Sequence, residues 1–446
     1  MSSNPFTSAI YGPLFSDPEI AALFSDRETV RAMLNVEAAL ARVQGGLGII
    51  PKKEAARISK AAINLEPDLD GLGRGTEKSG IPVIALVEQL RAALDGEAAS
   101  YVHWGATSQD IMDTGLVLQL RGVLDRLSMG LKALTGRLAD LTEEHRGTLM
   151  VGRTRSQQAL PTTFGLKVAG WLLPLVRHRE RLEQLRVSVL QLQFGGAAGT
   201  LAALGDRGTE VGNALAKELN LGLPPGPWHT QRDAFGDLAG WLSLLTGSLG
   251  KIGQDIVLLT QTEIGELQES GDPSRGGSST MPQKSNPVIS ETLVTAARMN
   301  AGLLSVAHQS LIQEQERGGP GWQLEWLTLP QMAILTGGAL HKACALFQTL
   351  RVDQDRMRAN LEASHGSVLA EAASFALSAH MPRQKAQALV KAASRTAAQD
   401  GRHLIDVLEK ESRANIDWAW LRDPANHLGS YNTIINQILR SHHALS

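Results

Sequence analysis

Leu116 to Leu141, LVLQLRGVLDRLSMGLKALTGRLADL, carries leucine at positions 116, 120, 124, 127, 131, 134, 138 and 141. Steps of three and four keep these side chains on one face of a helix, so the stretch predicts one long amphipathic helix. A second stripe runs Phe235, Leu238, Leu242, Leu245, Leu249, Ile252, Ile256 and Leu259, and a third runs Val168, Leu172, Leu175, Leu182, Leu185, Val189 and Leu192. Near-heptad stripes of this length favour shallow crossing angles and bundle packing. Period-two runs rich in β-branched residues are scarce, and the chain is expected to be all-α.

Breaks in the pattern divide the chain. A shorter helix carrying Val30, Met33, Val36, Leu40 and Val43 stops at Gly45, Gly46 and Gly48, ahead of Pro51. Residues 1–104 are therefore expected to form an N-terminal helical domain, 105–350 a central long-helix bundle, and 351–446 a C-terminal helical domain. Within the bundle, turns are expected at Phe194–Thr200, Pro224–Pro227 and Gly271–Pro287. Helices with stripes this wide need further surfaces to cover them, which predicts oligomerisation.

Composition narrows the function. The 446 residues carry 43 Lys+Arg against 45 Asp+Glu, a net charge of -2, which lacks the basic field of a general nucleic-acid binder. With one cysteine, Cys344, no intramolecular disulfide or cysteine-based metal site can form, and a reducing cytoplasm is the expected setting. No secretory leader is read at MSSNPFTSAIYGPLFSD, and the apolar run from Leu238 to Ile264 is interrupted by Lys251, Gln254 and Asp255, so no membrane partner is expected. HExxH, clustered acids and phosphate loops are missing from the sequence, and neither metal nor nucleotide cofactor is expected. The pair His442 and His443 points in two directions on a helix, a poor arrangement for a metal.

Three polar stretches interrupt the helices: His103-Trp-Gly-Ala-Thr-Ser-Gln-Asp110, Gly152-Arg-Thr-Arg-Ser-Gln-Gln158 and Gly276-Gly-Ser-Ser-Thr-Met-Pro-Gln-Lys-Ser-Asn-Pro287. Each adjoins a long helix, and helix ends can converge in a bundle. By composition alone the third reads as a flexible linker in which Asn286 and Pro287 open a capped helix. Against that reading, Lys284 and the loop amides suit an anionic ligand, and a serine beside a cation can be activated as a base.

GSSTMPQKSNP resembles the fumarase/aspartase superfamily signature, GSSxMPxKxNP, and HWGATSQD and GRTRSQQALPTT fall where that superfamily has its other active-site segments. The resemblance covers essentially the whole chain. It implies homotetramers, three-domain subunits, a core of long helices, and active sites assembled from several chains. Ser278 is then the loop serine that transfers a proton, with Lys284 and Asn286 as catalytic loop ligands and Met281 beside them. Thr107, Ser108 and Gln109 match the substrate-holding segment, and Arg153, Thr154, Arg155 and Gln157 the second segment. His103 either meets substrate or satisfies a local hydrogen bond. Arg317, in QERGGPGW, is either a surface salt bridge or a carboxylate clamp from a neighbouring subunit. Glu263, four residues beyond Leu259, is expected to continue the apolar face of its helix, where its carboxylate either pairs with a buried base at the tetramer core or polarises the active site, with Lys251 flanking that face.

HWGATSQDIMDTGLVLQLR, QFGGAAGTLAALG and QEQERGGPGWQLEWLTL are most similar to the branch of bacterial 3-carboxy-cis,cis-muconate cycloisomerases. One departure from the wider superfamily has a chemical reading. Many members have GRTHxQ, with the histidine near the leaving group, and here the fourth position is Arg155. Amine and hydroxide leaving groups benefit from a general acid, whereas a carboxylate leaves as a stable anion. Arginine in place of histidine therefore suits a lactonising enzyme with a small tricarboxylate substrate, and supplies a permanent charge for it. An amine-releasing lyase resembling adenylosuccinate lyase, and a catalytically silent helical scaffold, are the alternatives. Arg155 counts against the first, and intact Ser278, Lys284 and Asn286 against the second.

Overall fold

The computed structural model of the chain describes residues 5–269, 276–277, 280–281 and 283–445. Six helices carry the architecture: α1 (Asp26–Gly46), α2 (Ser108–Glu144), α3 (Phe164–Val189), α4 (Asp233–Leu259), α5 (Val288–Gln309) and α6 (Pro320–Thr349). Among the described residues the chain is all-α apart from two small antiparallel pairs, β1 (Leu149–Thr154) with β2 (Gln157–Thr163) and β3 (Leu267–Gln268) with β4 (Arg351–Val352). The leucine stripe lies within α2, where Leu120, Leu124, Leu127, Leu131, Leu134 and Leu138 are all buried. Each contributes roughly 1.5–3 kcal/mol through burial. The second stripe spans α4 from Phe235 to Leu259, and every member is buried. That helix is long and apolar enough to cross a membrane by length and composition, but its stripe packs as protein core. The third stripe outruns its helix: α3 ends at Val189, and Leu192 is buried beyond it.

By contacts the chain divides into two compact units. The first comprises Met1–Gly130, His178–Gly247 and Thr295–His341, and the second Leu131–Arg177, Ser248–Val294 and Lys342–Ser446. The division cuts α2, α3, α4, α5 and α6. In the first unit α1 starts where the Ser25 hydroxyl accepts from Glu28 N, with Asp26 and Glu28 in the positively polarised first turn. Its Val30, Met33 and Val36 pack with Ile58, Leu86 and Leu90, while Leu40 and Val43 join a second cluster with Val211 and Leu215. In the second unit Leu361, Leu377, Val390 and Leu408 build a core that Val151 of β1 enters.

Candidate active site

In the first unit the Thr107 segment forms the start of α2, and Asp110 organises it. This buried carboxylate accepts from Thr107 N at 3.0 Å, from Gly195 N and Gly196 N at 2.9 Å, and from His229 Nε2 at 2.8 Å. The bond to Thr107 is a helix-start box in which the side chain reaches back to an amide left without an intrahelical partner. Gly196, at φ +68°, lets the glycine-rich turn present two successive amides to one carboxylate.

Thr107 and Arg317 meet within one chain. Arg317 Nη1 donates to Thr107 Oγ1 at 2.6 Å, and Nε donates to Gln109 Oε1 at 3.3 Å. No ion pair to Arg317 occurs among the described residues, so its guanidinium keeps an uncompensated charge beside a hydroxyl that still has its own hydrogen to give. The expected clamp from a neighbouring subunit thus has its threonine partner in the same subunit. Gln109 departs further from expectation: it is 0% exposed, and its Nε2 donates to Asp113 Oδ2 at 3.1 Å and to the carbonyl of His229 at 3.0 Å. Both ends of the amide are engaged and the side chain is closed off from solvent, which argues against the expected contact with substrate. Ser108 is half-buried at the helix start.

His103 sits in the left-handed region, φ +64°, with Nδ1 2.5 Å from the buried carboxylate of Glu37 on α1. Burial works against its charged form, but the carboxylates of Glu37 and Asp110 together outweigh it and raise the imidazole above its ordinary range. Behind Gln109 lies a group the sequence did not mark. Arg232, fully buried, donates to both oxygens of Asp113 (2.7 and 3.1 Å) and both oxygens of Glu325 (2.8 and 2.5 Å), and Trp322 Nε1 adds a bond to Asp113 at 3.0 Å. Burial pushes Glu325 above the usual carboxylate range despite its bonds to Arg232, because two carboxylates share one guanidinium.

In the second unit GRTRSQQ is a β-hairpin, which the helical reading did not foresee. Arg155 and Ser156 turn between β1 and β2 at φ +48° and +66°. Thr154, Arg155 and Gln157 are exposed around this tip, and Arg155 makes no ion pair among the described residues. Arg153 differs: its two terminal nitrogens bond both oxygens of Glu266 at 2.9 and 2.6 Å, and Glu266 is fully buried. Its charge is therefore spent on anchoring the hairpin, which argues against the expected contact with substrate. Asn360 Nδ2 donates to the same carboxylate at 2.9 Å. Glu263 is corrected as well. The helix ends at Leu259, a turn with Gly265 at φ +61° follows, and Glu263 is exposed while Glu266 takes the buried position. Lys251 is exposed and pairs with Asp255. Lys167 on α3, missed in the sequence, is half-buried. Burial lowers its ammonium pKa, Asp255 opposing and Lys251 adding to the effect.

Ser278 lies outside the described residues. Of its loop, Gly276 O accepts from Asn286 N at 2.9 Å, and Gly277 bridges Ser285. Gly276 has φ +71°, and a Cβ there would stand 2.3 Å from Asn286 O, so glycine is required at this crossing. Met281 and Lys284 are exposed, and Asn286 is half-buried. Asn286 is not the cap of α5: that helix starts at Val288, and buried Glu269 accepts from Ile289 N and Ser290 N at 2.9 and 2.7 Å. Lys284 and Asn286 line an open cavity of about 990 Å³ with Glu269, Thr260 and Arg351.

Long apolar helices, a capped Thr-Ser-Gln-Asp start, an exposed basic hairpin tip and a glycine-serine loop with a lysine define an enzyme of the lyase class acting on small carboxylates. The chain belongs to the lyase family: residues 15–302 match the family described as Lyase, and residues 366–438 match Adenylosuccinate lyase C-terminus. It is 46% identical to a 3-carboxy-cis,cis-muconate cycloisomerase of Pseudomonas aeruginosa, over 100% of this chain and 98% of that protein. The crystal structure of the 3-carboxy-cis,cis-muconate lactonizing enzyme from Pseudomonas putida superposes with a TM-score of 0.93 at 41% identity, covering 98% of this chain and 100% of the other. The β-carboxy-cis,cis-muconate cycloisomerase structure from Acinetobacter calcoaceticus gives 0.90 at 36% identity, covering 97% and 99%.

Proposed function

We propose that the protein is an intramolecular lyase that closes 3-carboxy-cis,cis-muconate to 4-carboxymuconolactone, a step in protocatechuate breakdown. The observation that carries the reading is Arg155, an exposed arginine at the hairpin tip, in the position where the superfamily pattern that the sequence resembles often has a histidine. One substrate carboxylate oxygen adds to a double-bond carbon, and one proton is delivered to the neighbouring carbon, which is α to another carboxylate. The carboxylate becomes an ester, so a trianion plus one proton gives a dianion. Ser278 donates that proton, and in lactone opening it removes it, leaving an enolate-like charge. Lys284, Asn286 and the loop amides stabilise this charge. Arg317 with Thr107, His103 and Arg155 hold the remaining carboxylates, and no step calls for a general acid on a leaving group.

The same reading makes the enzyme a cytoplasmic homotetramer with sites shared between subunits. Leu244 and Leu258 on α4, Met299 and Val306 on α5 and Leu327 on α6 support it, because all are exposed apolar side chains on the long helices. The test is ultraviolet absorbance: purified protein should bleach the conjugated muconate and leave adenylosuccinate and argininosuccinate intact. Turnover of either of those, with the muconate unchanged, would replace lactonisation by an amine-releasing activity. Light scattering should report a tetramer, and mixing a Thr107→Ala variant with a Lys284→Ala variant should restore partial activity. A fully active monomer would overturn the shared site.

A further inference from the structure

We propose that Gln109 is the positioning residue of the carboxylate clamp, a neutral amide locked from behind that aims the guanidinium of Arg317 at Thr107. The inference rests on reading Thr107 and Arg317 as a carboxylate subsite. Three observations carry it.

The amide can stand in only one orientation. Its two N–H groups face Asp113 Oδ2 and the carbonyl of His229, which accept and cannot donate. Turning the amide over would set its oxygen against both, so the oxygen is committed to Nε of Arg317. The anchor behind it is rigid. Asp113 receives Gln109, Trp322 and two bonds from Arg232, which fills its acceptor capacity. Arg232 is held in turn by Glu325 and lies over the rings of Trp228 and Phe235 at 4.7 and 4.8 Å. The third observation is charge. Behind Gln109 two carboxylates share one guanidinium, and in front of it Arg317 has no carboxylate among the described residues. If a carboxylate stood in direct contact with Arg317, it would neutralise the clamp. The amide passes on orientation without passing on negative charge.

The test is a double-mutant cycle on steady-state kinetics with the muconate. Arg317→Met should raise KM on the order of 10- to 100-fold, as expected for loss of hydrogen bonds to a charged group. Gln109→Met should raise KM about tenfold, with a smaller change in kcat. Because Gln109 acts through Arg317, the double variant should be no worse than Arg317→Met. Independent, multiplying effects on KM, or an unchanged KM in Gln109→Met, would overturn the proposal.

Gln109→Glu gives a second reading should the methionine variant fold poorly. The groups facing position 109 are Asp113 and Arg232 behind, Arg317 in front, and Asp110 with His229 alongside. A protonated glutamic acid keeps both the donor to Asp113 and the acceptor for Arg317, whereas the ionised form repels Asp113 and cancels Arg317. The ratio of variant to wild-type KM should therefore fall toward one near pH 5 and climb toward pH 8, and a flat ratio counts against the proposal. The same cycle is also read by calorimetry with propane-1,2,3-tricarboxylate, which needs no turnover. Non-additive binding in an enzyme that fails to lactonise the muconate would overturn the activity and uphold the positioning role.

Discussion

Replacing Arg232 with methionine would expose what its buried charges contribute. The guanidinium is fully buried and makes four hydrogen bonds to Asp113 and Glu325, each about 1% exposed. Without it, two carboxylates face one another in a space closed to water. Removing one partner of a buried pair costs about 3–5 kcal/mol; here Glu325 is orphaned and Asp113 keeps only Gln109 and Trp322 against the nearby second charge, so the loss should fall within that range near pH 8. Methionine restores part of the contact with Trp228 and Phe235, which leaves the electrostatic loss dominant. Orphaned carboxylates take folded-state pKa values above their unfolded ones. Their favourable contribution is present in full below the unfolded value and disappears as pH rises through the folded value. The penalty should therefore shrink toward pH 5. Glu325, already raised in the wild type, has the same sign. Urea unfolding followed by tryptophan fluorescence is a fitting assay, because Trp228 and Trp322 adjoin the site. Adding Glu325→Met to Arg232→Met should recover stability by removing one orphan. A loss below about 1 kcal/mol, or one that grows toward acid, would refute the reasoning.

Three further outcomes are expected. Ser278→Ala should lower turnover by at least about a hundredfold with little change in melting temperature, and near-normal activity would remove Ser278 from proton transfer. Arg155→His should weaken tricarboxylate binding on the order of 10- to 100-fold without creating efficient amine elimination, and the loss should deepen from pH 6 to 8 as the imidazole deprotonates. Unchanged affinity and pH profile would mean that Arg155 faces away from substrate. Glu37→Gln should lower the His103 pKa, read by NMR titration. The stability that the raised imidazole contributes is present below its unfolded value of 6.5 and lost as pH rises through the folded one, so the variant should be the less stable protein mainly on the acid side. A His103 titration that does not move would detach the two residues.

The helices were legible because their signal is local. A stripe such as Phe235 to Leu259 repeats every turn, and its burial needs only some apolar neighbour. The site was legible as motif and much less as geometry. The hairpin went unforeseen because its alternation breaks at a register shift between Val151 and Arg153, and because its turn uses Arg155 and Ser156 in place of glycine or asparagine. Extending the stripe of α4 past its end selected Glu263, when the chain had already turned and Glu266 had the buried place. Arg232 was invisible for another reason. Its partners lie 119 and 93 residues away along the chain, and no local spacing marks such a contact. A faint signal existed for Gln109: a glutamine between Ser108 and Asp110 on the first turn of a helix faces inward once Asp110 is recognised as its cap.

The hairpin has a consequence for how this chemistry can diversify. Its foundation, Arg153 on Glu266, is buried and doubly bonded, while its tip at Arg155 and Ser156 carries no core packing. Position 155 can therefore change identity with little effect on folding. Its left-handed backbone limits the choice, and histidine is among the side chains that tolerate such a conformation comparatively well. If position 155 has the role proposed for it, the choice between holding a carboxylate and protonating a departing group stands on an interchangeable mount, and a descendant of this chain could trade one for the other there while its scaffold stayed intact.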